Sequence, residues 1–536
     1  MSTTPPASRW RRRLAALLAA LMAFSGTVQA QVRLPALGES ASEDLSVGDE
    51  RRIGDQIMFM GRRDPSYYDD PVLLEYVQSL WNPLVAAARQ RGEIGPDIDR
   101  SFSWEIFLLR ERSVNAFALP GGYVGAHLGL IAITSTRDQL ASVLAHELSH
   151  VTQRHIARSI APQQQASMVA LAAMLLGLFA ASRGGNIDMA NAAMAGGQAA
   201  AIQGQLNFSR DMEREADRIG YGILGAAGFA TAGMAAMFER LDMATRMNDS
   251  GGFPYLRSHP LTVDRISEAR NRTLLGPHTP PAPPLEHALM QMRARVLMDD
   301  RAQALQRLGG ETSSPELADR TAALYGGALA ASLLGNHARA ETQVAQALQL
   351  AATAMPREPG AERALHLLQA QVRLTRGDAA GALAALDAVP AGGAARAPLL
   401  LRAQAALDLH RQSGSSAPAV ADLRRSTEAL QTWLVDHPID AAAWQLLSGT
   451  GEAIGLTLRS MRAGAEARAV VGDLNGAIDR LRAAQAAART GPASDHIEAS
   501  VVDARLRQLV AQRRQMVLEA RGGRTGSDKP DEPLPQ

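Results

Sequence analysis

The stretch that most constrains the chain is His146-Glu147-Leu148-Ser149-His150, set within Thr136 to Ile160. Leu140, Val143, Leu144, Leu148 and Val151 recur at helical spacing, which predicts an amphipathic, mostly buried helix. Ser135, with acidic Asp138 three positions on, reads as its capped start. On that helix His146 and His150 stand one turn apart on one face, where two imidazoles can share one metal ion. Glu147, beside the first of them, can reach a water on that ion and act as general base. The plain alternative is a helix with two hydrogen-bonded core histidines. Histidine supplies only 12 of 536 residues, so this spacing seldom arises by chance.

A chain of 536 residues exceeds one ordinary core, and two or three domains are expected. Lys and Arg number 55 against 54 Asp and Glu, for a formal charge of +1, and aromatics are 4 %. With no polybasic footprint beyond the N-terminus, no nucleic-acid partner is expected. Residues 1–30 read as a signal peptide: Arg9, Arg11, Arg12 and Arg13, then an apolar run from Leu14 to Phe24, then Val28-Gln29-Ala30 as cleavage site. That run is short for a bilayer span; an uncleaved anchor is the alternative. Export to a bacterial periplasm is the expectation, and with 0 Cys the exported chain must rely on cores and metal rather than disulfides.

Ile53, Ile57, Met60, Leu73, Leu74, Tyr76, Val77 and Leu80 carry helical periodicity and suggest a helical cap before the catalytic part. Trp104 to Arg110 turns strand-like, and Val114–Ala118 and Tyr123–Ala126 flank the turn Leu119-Pro120-Gly121-Gly122. A small sheet therefore precedes the histidine helix. Its edge, near Asn115, Gly121 and Gly122, would let an extended peptide add as a strand, unless these residues serve the turn alone. Met168–Ala181 and Met189–Ala201 flank Arg183-Gly184-Gly185-Asn186 and read as two apolar helices. They would form a movable lid, a peripheral membrane contact through residues 166–201, or a buried hairpin.

Catalytic zinc needs three protein ligands and an open fourth position. Gln153 and Ile156 exclude the metzincin solution, which leaves His155 as a surface residue near the helix end. A carboxylate on a later helix fits instead. Glu213 and Asp217 are four apart and share a face, so Glu213 could bind metal while Asp217 holds a ligand histidine; Glu215 points elsewhere. Alternatively these acids form a solvated face with Arg210, Arg214 and Arg218.

His-Glu-Leu-Ser-His, then Ser209-Arg210-Asp211 with Glu213, Glu215, Ala216 and Asp217, then Ser258-His259-Pro260-Leu261 with Arg265-Ile266, resembles the Ste-type gluzincin metallopeptidases. With a signal peptide and a helical tail, the chain is similar to the periplasmic beta-barrel assembly-enhancing protease family. That resemblance implies one Zn2+ per chain, held by His146, His150 and Glu213, with Glu147 and Asp217 catalytic. It also implies that His259 can take the fourth position and hold the enzyme latent. Arg265 is a weak candidate for stabilising an oxyanion.

Pro277, Pro280, Pro281, Pro283 and Pro284 mark a semi-rigid hinge at 276–286 between a peptidase domain at 31–275 and a tail at 287–520. In the tail, Gly335 with Ala340 and Ala347, Gly377-Asp378 with Ala382, Gly472-Asp473 with Ala477, and Pro438 with Trp444 read as fragments of tetratricopeptide repeats. An unrelated helical bundle is the alternative. Residues 521–536 read as disordered. The expected fold class is mainly α: a gluzincin-like metallopeptidase domain with a small β-sheet, then an α-solenoid of tetratricopeptide-like repeats. The expected function is a zinc endopeptidase that hydrolyses unfolded or misfolded outer-membrane proteins, with the repeats recruiting substrate or the barrel-assembly machinery. The competing reading is a chaperone or assembly adaptor in which proteolysis is secondary. A membrane-embedded prenyl protease would need several apolar spans that the sequence lacks.

Overall fold

In a computed structural model of the chain, the residues described are 45–159, 210–247, 253–275, 284–308, 314–392, 395–414, 416–489 and 496–520. The expected signal peptide, the apolar pair at 166–201 and the tail at 521–536 lie outside them. Among the described residues no helix is long and apolar enough to cross a membrane.

The N-terminal part runs α1 (Val47–Gly61), β1 (Tyr67–Tyr68), α2 (Pro71–Gln90), α3 (Pro96–Ser101), β2 (Glu105–Leu109), β3 (Ala116–Leu119), β4 (Tyr123–His127), α4 (Leu128–Ile133), α5 (Arg137–Thr152) and α6 (His155–Ser159). The sheet order is β1-β2-β4-β3. β3 and β4 form the predicted hairpin, with Ala116 opposite Ala126 and Leu119 opposite Tyr123. The two-residue β1 was not legible in the sequence, nor was the parallel pairing of β2 with β4, which leaves β3 at the edge. Gly121 and Gly122 take φ of +78° and +88° in the turn. A Cβ on Gly122 would stand 2.8 Å from Phe102 Cβ, so the turn itself calls for glycine there.

α5 is the central helix, and every residue from Asp138 to Thr152 on it is buried. Its cap sits one residue later than predicted: Thr136 Oγ1 accepts from Gln139 N, while Gln139 Oε1 accepts from Ser135 N. Asp138, buried, accepts instead from Ala230 N at 3.0 Å. The helix also stops earlier than Ile160, at Thr152. Arg154 adopts φ +52°, and its buried guanidinium pairs with Glu50 of α1. That reach needs a side chain that has left the helical path.

Beyond α5 come α7 (Arg210–Ala226), α8 (Ala232–Met247), α9 (Tyr255–Ser258) and α10 (Val263–Leu275). α7 crosses α5 closely at Gly220, where a Cβ would come 3.1 Å from Ala145 O. A glycine there lets the helices approach without either backbone giving way, and the approach brings their polar residues into reach of each other.

Residues 276–283 of the expected hinge also lie outside the described residues, but the chain on its two sides shares one core. α11 (Leu285–Leu297) packs against α4 and belongs to the same hydrophobic core as α2 and α5. Arg293, 1 % exposed, donates to both carboxylate oxygens of Asp70 at 2.7 Å, to Tyr325 Oη and to Gln371 Oε1. His287 bridges Tyr76 Oη and Thr134 O. Glu75 meets Arg363, and Arg396 meets Asp69. The expectation of a hinge between separable bodies is corrected by the shared core and these polar joints, the Arg293–Asp70 pair buried, which apolar patterning could not reveal.

The tail continues as α12 (Ala302–Leu308), α13 (Leu317–Leu333), α14 (His337–Ala351), α15 (Pro359–Thr375), α16 (Ala379–Asp387), α17 (Arg396–Ser413), α18 (Ala417–Asp436), α19 (Ala441–Ala453), α20 (Thr457–Val470), α21 (Leu474–Ala488) and α22 (His496–Ala520). The Gly-Asx pairs are its turns. Gly335, Gly377 and Gly472 have φ of +76°, +83° and +82°, and the following Asn336, Asp378 and Asp473 cap α14, α16 and α21. Ala340, Ala347, Ala382 and Ala477 are fully buried, so successive helices approach closely there. At the far end Phe59 of α1 packs against the cluster of α20–α22.

Candidate metal centre

His146 and His150 project from one face of α5 toward α7 and the short segment after α9. Their Nε2 atoms are 3.0 Å apart. Glu213 of α7 stands 3.5 Å from each. His259 Nδ1 completes the group, 2.9 Å from Glu213 Oε1 and 3.3 Å from His146 Nε2. One ligand atom from each of the four buried residues falls within 4.8 Å of the others. Two donors about 2.05 Å from one ion at the tetrahedral angle would lie about 3.3 Å apart. The observed spacings bracket that value, and the set of imidazoles and one carboxylate suits a borderline divalent ion.

Electrostatics matches a hole shaped for a cation. Burial and then the neighbouring charge of His146 push His150 well below its usual range. Burial would lower His146 too, but Asp217 and Glu213 outweigh it and hold the group up at about 9. Glu213 is kept ionised well below the carboxylate range: burial opposes this, and the charge of His259 with hydrogen bonds from His146 and His259 overcomes it.

The ligands are themselves held. His146 Nδ1 is 3.0 Å from Asp217 Oδ1, which fixes Nε2 as the atom facing the ion. Asp217 is gripped in turn by Arg265, Nε to Oδ2 at 2.7 Å and Nη2 to Oδ1 at 2.8 Å. Arg265 Nη1 also meets Glu213 Oε2 at 2.8 Å and Pro260 O at 2.8 Å. Arg265 is thus occupied in bracing the carboxylates and the His259 loop, which corrects its reading as an oxyanion stabiliser.

His155 is corrected as well. It is fully buried, with Nδ1 2.9 Å from His150 Nδ1 and Nε2 3.0 Å from Glu215 Oε2. Burial lowers it to about 4, so it is neutral. A neutral His155 accepts from His150 Nδ1–H and donates from Nε2 to Glu215, which Arg158 also holds at 3.0 Å. Glu215 does point away from the ligands, yet it anchors the second one through His155. Sequence spacing missed this because the break at Arg154 rotates His155 off the helical wheel on which it was judged.

Glu147 Oε1 lies 3.5 Å from His259 Nε2. Burial raises its pKa, while the charges of His259 and His146 and the backbone N–H of Ala118 on edge strand β3 draw it down less strongly. Edge strand β3 packs against α5, the helix that carries the candidate base. Asn115, just before β3, is buried; its backbone O accepts from His127 N, and its Oδ1 has no hydrogen-bond partner among the described residues.

A sequence profile of peptidase family M48 matches residues 75–273, the span holding every residue of this cluster. A beta-barrel assembly-enhancing protease of Yersinia pestis is 31 % identical over 492 residues, 90 % of this chain and 93 % of its own length. The chain belongs to the beta-barrel assembly-enhancing protease family. Another relative of that name, from Escherichia coli K12, is 36 % identical over 243 residues, 45 % of this chain and 47 % of its own. A Vibrio cholerae relative is 40 % identical over 269 residues, 50 % of this chain and 52 % of its own. The matched stretch thus spans about half the length of these two relatives and nearly all of the Yersinia protein. For a member of this family, the cluster on α5, α7 and the His259 loop is the expected place for the metal of a metallopeptidase.

Proposed function

We propose that this chain is a periplasmic zinc endopeptidase that hydrolyses unfolded or misfolded outer-membrane proteins. The observation that carries the reading is the convergence of His146, His150 and Glu213 beside Glu147, on the helix against which edge strand β3 packs. The names of the relatives support outer-membrane protein assembly as the setting. Zinc suits three ligands of nitrogen and carboxylate type in tetrahedral array. When bound there it would acidify a water and polarise a peptide carbonyl.

The chain's own residues supply the rest. Asp217 and His155 keep Nε2 of His146 and His150 turned to the centre. A peptide laid along β3 would have its backbone fixed by main-chain hydrogen bonds, which hold any sequence in register. Glu147 Oε1 takes a proton from the attacking water and returns it to the leaving amine nitrogen. The raised pKa of Glu147 suits both halves of that task. His259, stacked on the Tyr255 ring at 4.7 Å and 29°, would be a fourth holder of the metal beside His146, His150 and Glu213, and so keep the resting enzyme latent. The helical tail would recruit substrate or the barrel-assembly machinery along its surface.

The test pairs zinc analysis with cleavage of an unfolded outer-membrane protein. Glu147→Gln should keep stoichiometric zinc and lose cleavage by about 10²-fold or more. His259→Ala should cleave faster than wild type. Zinc absent from the wild-type chain would overturn the reading, and unchanged or slower cleavage by His259→Ala would remove the latency.

A further inference from the structure

A cavity of about 740 Å³ lies between α4, α8, α11 and α12, and none of the metal-ligand residues lines it. Among the described residues five arginines line it, Arg112, Arg240, Arg295, Arg301 and Arg307, against one carboxylate, Asp299. In a chain whose formal charge is +1, that concentrates a net +4 in one cleft (five arginines less one aspartate). Asp299 is already taken by Arg112 at 3.3 Å and Arg301 at 2.7 Å. Arg240, Arg295 and Arg307 form no ion pair among the described residues. Arg295 Nε is spent on Ala132 O at 3.1 Å, which holds the guanidinium at the cleft wall.

Like charges gathered without partners raise the energy of the empty cleft. Burial, and then the charge of Arg240, push Arg295 below the usual guanidinium range, with Asp319 offsetting part of this. An anion entering the cleft would relieve both costs.

The donor inventory narrows which anion. Guanidinium groups only donate, and each offers a planar fork matched to two oxygens of one group. The lining backbone of α4, α11 and α12 is engaged in helices, and Gln303 and Asp299 are the other polar side chains there. A peptide would bring N–H donors that this wall could seldom accept. A phosphate brings only acceptor oxygens and more than one charge. The space exceeds a single orthophosphate, and Ile133, Met298 and Leu308 add apolar wall beside the arginines. We infer that this cleft binds a phosphate-bearing ligand carrying at least two negative charges, engaged by Arg240, Arg295 and Arg307. The phosphate could arrive free or as the headgroup of an anionic lipid.

The test uses the full chain with two probes, inorganic pyrophosphate by calorimetry and cardiolipin vesicles, whose headgroup carries two phosphates, by co-sedimentation, against phosphatidylcholine vesicles as blank. Arg240→Gln and Arg307→Gln should each weaken binding at least fivefold, and the pair together by more than twentyfold. Arg100→Gln, on an exposed arginine whose ion pair among the described residues is with Asp97, should bind as wild type. Saturable pyrophosphate binding with this pattern supports a free phosphate. Vesicle binding alone with the same pattern supports a headgroup. Binding of neither probe, or equal binding by the cleft variants and wild type, overturns the inference. Tighter, arginine-dependent binding of poly-glutamate than of either probe overturns the phosphate assignment.

Discussion

Replacing Arg293 by Met tests whether the helical tail and the peptidase part are one body. Methionine keeps most of the apolar stem and removes the guanidinium, so packing changes little. The lost interactions are four hydrogen bonds: two to Asp70 at 2.7 Å, one to Tyr325 Oη at 2.9 Å and one to Gln371 Oε1 at 3.1 Å. The larger effect lies in what remains. Asp70 is 7 % exposed and keeps only Leu73 N as a donor, at the N-cap of α2. Breaking a buried pair in this way costs about 3–5 kcal/mol, because one charge stays desolvated without its partner. Adding Asp70→Asn removes that charge while an asparagine still caps α2, so the double variant should regain about half of the loss. Urea unfolding, followed by tryptophan fluorescence and by circular dichroism, reads both quantities. A loss below about 1 kcal/mol in Arg293→Met, or a double variant no better than the single one, would refute the account of this joint.

Three further outcomes follow from the same geometry. His155→Phe keeps the ring volume but cannot accept from His150 Nδ1–H, so zinc affinity in chelator competition should fall about 10- to 100-fold; His155→Gln should restore part of it, and unchanged affinity in both would show that His155 merely fills space. Asp217→Asn should lower zinc affinity by a similar factor through the His146 tautomer, and the effect should shrink when Arg265 is also replaced by Met, since the unpaired guanidinium is then absent. His287, lowered by burial to about 4, is neutral in the folded chain. Its folded pKa lies below the unfolded value of about 6.5, so its share of stability is complete above pH 6.5 and is lost as pH falls toward 4. That share is about 3 kcal/mol, read as the difference in urea stability between metal-stripped wild type and His287→Gln at pH 7 and pH 4; a difference independent of pH would contradict it.

Much of this protein could be read from local pattern. Helical period announced α5, and the one-turn spacing of His146 and His150 placed their rings together whatever surrounds them. Glycine and proline punctuation located the β3–β4 hairpin, and the Gly-Asx pairs at Gly335, Gly377 and Gly472 marked helix turns because positive φ and capping are properties of one or two residues. Family motifs then singled out Glu213, Asp217 and His259. What pattern could not carry were relations between residues far apart in the chain. The bracing of Asp217 by Arg265, the neutral link from His150 through His155 to Glu215, the joint of Arg293 with Asp70 and the gathering of five arginines on one cleft each depend on how helices cross. A charged residue has the same spacing whether it faces water or a buried partner, so its role emerges only once packing sets the distance and takes away the solvent.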